Sequence, residues 1–71
     1  MAKCNKEKHL GSVVRTRRVQ KGWTQKDLAN VLGVHRPYIS RWETGRSMPT
    51  IDALKRLCEV LELSAEELLW P

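Results

Sequence analysis

At 71 residues and a net charge of +5, the chain has room for one small domain and no second, and a domain of this size buries only about 60% of its unfolded surface. No apolar run approaches the length of a membrane span, and no signal-peptide core follows the Lys-rich start, so a soluble protein is expected. Cys4 lies in a polar stretch and Cys58 in an apolar pattern, which is no disulfide framework; Cys58 is expected to be a small buried hydrophobe in a reducing, cytoplasmic setting.

Residues 1–8 are polar and aperiodic, and a flexible basic tail is expected there, with residues 9–71 forming the domain. Leu10, Val13, Val14 and Arg17–Arg18 follow i, i+3, i+4, i+7 spacing up to Gly22, which predicts helix 1 over 9–21. Thr24 and Asp27 are spaced as a capping box for helix 2, whose buried stripe is Leu28, Ala29 and Leu32. Gly33 stands just past its end, where a left-handed residue is needed. Helix 3 is expected over 36–43, with Ile39 and Trp42 on its inner face and Pro37 tolerated in its first turn. Pro49–Thr50 opens helix 4, striped by Ile51, Leu54, Leu57, Cys58 and Leu61. Ser64 and Glu67 make a full capping box for a short helix 5 holding Leu68 and Leu69. Nothing alternates with period two. The expected fold is all-α, a compact five-helix domain.

Charge is unevenly spread along this chain. Residues 1–22 carry +6, residues 23–46 carry +2 and residues 47–71 carry −3, a basic front and acidic back that suit an oriented encounter with a polyanion. Two short helices joined through Leu32-Gly33-Val34 form a helix-turn-helix arrangement, whose second helix can enter the DNA major groove. Helix 3 then has a use for His35, Arg36, Pro37, Tyr38, Ser40 and Arg41, which Ile39 and Trp42 leave facing outward.

The stretch from Thr24 to Leu69 resembles the Cro and phage-repressor (XRE) helix-turn-helix family, on Thr24-Gln25, Ala29, Gly33, Ile39-Ser40-Arg41-Trp42-Glu43, Gly45 and Pro49. The resemblance implies a lambda-repressor-like DNA-binding domain over about residues 10–69. It implies that Gln25 bonds a DNA phosphate and buttresses helix 3, beside Thr24 and the free N–H groups of helix 2. His35, Arg36, Pro37 and Tyr38 would meet base edges or the adjacent backbone, and Arg41 would pair with guanine O6 and N7. Thr44 and Arg46 match positions that grip phosphate. Arg18 and Glu43 match a buried ion pair between helices 1 and 3. The residues at 35–38 depart from the small Ser, Thr and Gln side chains common in the family, so no operator sequence carries over.

Other residues have structural readings. Trp42 belongs to the core, Trp23 to its edge, and His35 could cap helix 3; Arg15, Arg17, Lys21 and Lys26 read as solvated charges, with one or two near helix 2 touching phosphate. Leu63, Leu68, Leu69, Trp70 and Pro71 leave an apolar C-terminal surface suited to a homodimer, unless Leu68 and Leu69 only close the core. Cys4 and His9 have no second pair at ligand spacing, and no phosphate loop or roomy pocket is expected; no enzyme activity, metal or cofactor is predicted. The function expected is sequence-specific binding of double-stranded DNA as a dimeric transcription regulator, repressor or activator, associated with the nucleoid. The alternative is an antitoxin-like module whose main partner is a protein. RNA binding lacks the exposed aromatic platform it uses.

Overall fold

The computed structural model describes residues 6–64, 66 and 67. They form α1 (Lys6–Gln20), α2 (Gln25–Leu32), α3 (Arg36–Glu43) and α4 (Ile51–Leu61), with no strand among the described residues. α1 starts three residues ahead of the expected His9, because Lys6-Glu7-Lys8 are good helix formers with no apolar stripe to reveal them. Four helices are described in full; Glu66 and Glu67 of the expected fifth are helical, and the rest of it lies outside the described residues. Ser64 and Glu67 do close their reciprocal cap, with Glu67 N–H donating to Ser64 Oγ at 3.1 Å and Ser64 N–H to Glu67 Oε2 at 2.9 Å. Leu68, Leu69, Trp70 and Pro71 lie outside the described residues. No helix among the described residues is long and apolar enough to cross a membrane.

The core follows the stripes read from the sequence. Leu10 and Val14 of α1, Leu28, Ala29 and Leu32 of α2, Ile39 and Trp42 of α3, and Leu57 and Leu61 of α4 are buried together, with α3 packed on both α1 and α2 and α4 on both α1 and α2. Three expectations change. Ile51 has the right spacing but is 72% exposed, since no described element covers the first turn of α4 on its side. Leu63, expected on the apolar C-terminal surface, is buried in the core, drawn in by its N–H bond to Cys58 O at 2.9 Å. Cys58 is only partly buried, although burial, and then the carboxylates of Glu59 and Glu67, push its thiol above its ordinary pKa.

Each helix ends on the same bond. The N–H groups of Trp23, Val34, Arg46 and Leu63 reach back five residues to the carbonyls of Arg18, Ala29, Arg41 and Cys58, the long bond of a Schellman ending. That closure needs a left-handed residue, supplied after α2 by Gly33 at φ 73°. After α4 it is supplied by Glu62 at φ 56°, an uncommon conformation for a residue with a side chain. Arg17 and Lys21 offset the strain. The Arg17 guanidinium donates to the carbonyls of Leu61 and Glu62 at 3.1 and 3.0 Å, and Lys21 Nζ lies 3.2 Å from Glu62 Oε1.

α1 crosses α3 at Gly11, where any Cβ would overlap the carbonyl oxygens of Trp42 and Glu43. Gly11→Ala is therefore expected to destabilise the fold by about 1–3 kcal/mol through overpacking, with the helices forced apart; urea denaturation of the two proteins measures it.

Acid should weaken the two reciprocal caps. The N–H of Thr24 holds the Asp27 carboxylate below its ordinary pKa, and the N–H of Ser64, assisted by Arg17, does the same for Glu67. Both pKa values are lower folded than unfolded, so their contribution is full above the ordinary carboxylate range, declines as pH falls through that range and is lost once pH passes below the lowered folded values. The double variant Asp27→Asn, Glu67→Gln should show a shallower decline of melting temperature in acid than the parent, the two curves converging at low pH.

Candidate nucleic-acid interface

Ile39 is fully buried and Trp42 is 5% exposed, so α3 is anchored along one stripe and presents the rest of its surface. His35 is the N-cap residue of α3 but makes no side-chain capping bond, so the expected capping role is not made and its imidazole is exposed. Arg36, Pro37, Tyr38 and Arg41 are exposed, and Ser40 is half-buried.

Six of the residues singled out from the sequence share one surface depression of about 360 Å³: Arg36, Pro37, Ser40, Arg41, Thr44 and Arg46. Three guanidinium groups and two hydroxyls line it, and no carboxylate does. Thr44 closes the end of α3, its hydroxyl donating to Ser40 O at 2.9 Å. The backbone of Arg46 is fixed by its N–H bond to Arg41 O at 2.9 Å, which ties the loop cation to the helix that carries Arg41.

A hydrogen-bonded chain runs from this surface into the protein. Arg18 grips Glu43 with Nε 2.6 Å from Oε2 and Nη2 3.2 Å from Oε1, and its third bond, 2.7 Å, goes to Trp23 O. The Glu43 side chain is 3% exposed. Gln25 donates from Nε2 to Glu43 Oε1 at 3.0 Å and accepts from Arg36 at Oε1 at 3.3 Å. The amide has one orientation available, because a carboxylate only accepts and a guanidinium only donates. Gln25 thus links the buried pair to the first residue of α3.

At the start of α2, Thr24 is the N-cap. Its hydroxyl accepts from Asp27 N–H at 3.1 Å while Asp27 Oδ2 accepts from Thr24 N–H at 2.9 Å. The amides of Gln25 and Lys26 are first-turn donors that a helix leaves without an internal partner.

Tyr38 stands apart from the cationic depression. It lines a second groove of about 430 Å³ with Val34, Trp42, Met48 and Ala53, and Arg41 borders both hollows. The Arg41 guanidinium carbon sits 5.7 Å from the centroid of the Tyr38 ring, within stacking range.

Arg17 and Lys21 are not solvated charges near the interface: they hold the end of α4, and Arg17 also pairs with Glu67 at 3.0 Å. Lys21 lies 5.6 Å from the centroid of the half-buried Trp23 ring as well. Arg15 and Lys26 are exposed. The sequence reading missed Arg56, which donates to Leu32 O at 3.1 Å and secures the turn before α3. It also missed Gly11, whose only signal was a glycine inside a helical period, and the apolar groove, whose Met48 and Ala53 come from beyond α3.

Comparison with known proteins places this geometry. The structure superposes on the clp gene regulator ClgR from Corynebacterium glutamicum with a TM-score of 0.83 at 29% identity, over 96% of this chain and 87% of that one. It matches the restriction-modification controller protein C.AhdI from Aeromonas hydrophila with a TM-score of 0.77 at 28% identity, over 86% and 92%. In sequence it is 34% identical over 56 residues to the ImmF control region 10 kDa protein of Bacillus phage phi105, covering 79% of this chain. It is 38% identical over 52 residues, 73% of this chain, to the HTH-type transcriptional activator BcrR of Enterococcus faecalis. The chain spans 62% of the phage protein's length and 26% of BcrR's. The helix-turn-helix family model matches residues 14–68, and the chain belongs to that family, in its XRE-type branch.

Proposed function

We propose that the protein is a transcription regulator that binds double-stranded DNA sequence-specifically, as a lambda-repressor-like domain with α3 in the major groove. The observation that carries this reading is the depression shared by Arg36, Arg41 and Arg46, a cationic hollow without a carboxylate on the face of α3 turned away from the core. Arg46, Thr44, Thr24 and the first amides of α2 meet phosphates, which fix register; Arg36, Pro37, Ser40 and Arg41 meet base edges, with His35 and Tyr38 at either margin. Gln25 keeps one amide hydrogen beyond its bond to Glu43, and that hydrogen serves a phosphate. The same cationic surface favours DNA over an antitoxin-like protein-binding module, whose contact face would centre on apolar anchors. No catalytic step or cofactor enters this reading, and a cytoplasmic, nucleoid-associated protein follows from it.

Selection of duplexes from a random DNA pool at near-physiological salt tests it. An enriched inverted repeat is expected; salt-sensitive binding with no enriched sequence would overturn it in favour of a protein partner. On the enriched site, Arg41→Ala should weaken binding by roughly 5- to 150-fold and relax one base position, as loss of a bidentate guanine contact does. Arg46→Ala should weaken all sequences alike and lower the log–log salt slope by about one phosphate's share.

The inverted repeat requires two copies of the chain, which we assign to a homodimer through Leu68, Leu69 and Trp70. Trp70→Glu should shift the protein to monomer in sedimentation and lower operator affinity at least about tenfold, since a single copy engages one half-site.

A further inference from the structure

The proposed DNA contact leaves the apolar groove beside Arg41 without a role. Val34, Tyr38, Trp42, Met48 and Ala53 make its apolar lining, with Ser47 and Thr50 adding two hydroxyls. Tyr38 is 46% exposed and Met48 42% exposed. Arg41 stands on the ridge between this groove and the cationic depression, with the Tyr38 ring against its guanidinium. Stacking holds the guanidinium plane, and a planar fork so held suits O6 and N7 of one guanine.

What can fill the apolar side follows from the chemistry of the groove. Apart from ring C–H groups, the other edge groups of the major groove are donors or acceptors; the bulky apolar group it exposes is the C5-methyl of thymine, or the same methyl on cytosine. Neighbouring base pairs are one stacking step apart, so a methyl beside the Arg41-bound guanine comes within reach of the Tyr38 ring and Met48. We infer that Tyr38 and Arg41 read one composite target, a guanine with a 5-methylpyrimidine next to it, Arg41 taking the guanine and the Tyr38–Met48 groove taking the methyl. This rests on the DNA-binding reading above and adds a ligand class to it.

The test changes the DNA rather than the protein. Parallel selections with the parent and Arg41→Ala identify the guanine that depends on Arg41, and each adjacent thymine in that duplex is then replaced by deoxyuridine, which removes only the methyl. Affinity should fall about fourfold, the effect of one buried methyl group. Where cytosine replaces the thymine, 5-methylcytosine should bind more tightly than cytosine by a similar factor. Tyr38→Ala, an exposed substitution, should bind the thymine and deoxyuridine duplexes alike. If the guanine is found but no thymine is enriched beside it on either strand, or deoxyuridine binds as well as thymine, the inference is overturned while the DNA-binding reading stands. If no duplex is enriched, both are overturned.

Discussion

The clasp between Arg18 and Glu43 holds the helix-turn-helix to the rest of the molecule. One guanidinium ties the end of α1 to the last residue of α3 and to the carbonyl just before α2, so three elements meet on a single side chain. Its geometry is possible because α1 lies directly on the α3 backbone at Gly11. Desolvating both ions offsets much of their attraction, so the main effect of the pair is directional. Removing either partner would strand the other in a largely buried setting, and the tilt of α3 would lose its reference.

From that clasp, order spreads outward through Gln25 to Arg36. Arg36 is exposed and long, and left alone it would sample many rotamers. A hydrogen-bonded chain that begins in the core limits those choices, as the Tyr38 ring limits those of Arg41. The two arginines of the exposed face are therefore held by different means, one by a polar chain and one by stacking. Thr44 and Arg46 extend the same logic past the helix end, where backbone bonds set the loop.

The parts legible in the sequence were those governed by local rules. The stripes of α2 and α3, the Thr24 cap and the Gly33 turn follow from short-range spacing, and Leu28, Leu32, Ile39 and Trp42 are buried accordingly. Six of the ten candidate site residues share one hollow because helical spacing already placed most of them on one side. The failures needed tertiary information. Ile51 continues its stripe with nothing across from it, Leu63 turns inward, and Arg17 and Lys21 become ties for α4 only because Glu62 ends up at their side. Glu62 itself stands where a glycine would have announced the end of the helix. The groove at Tyr38 unites residues of three segments, so no window of sequence contains it.

The separation of anchor from display along α3 also bears on descent. Positions 36, 37, 38 and 41 are exposed, while 39 and 42 are buried, and the two sets interleave without sharing contacts in the core. Surface exchanges at the first set leave the packing untouched, whereas the second tolerates little. A duplicated copy could drift to new side chains on its outer face while keeping the same scaffold, and lineages would be expected to differ most at the residues that face away from the core and least at those beside them in the chain.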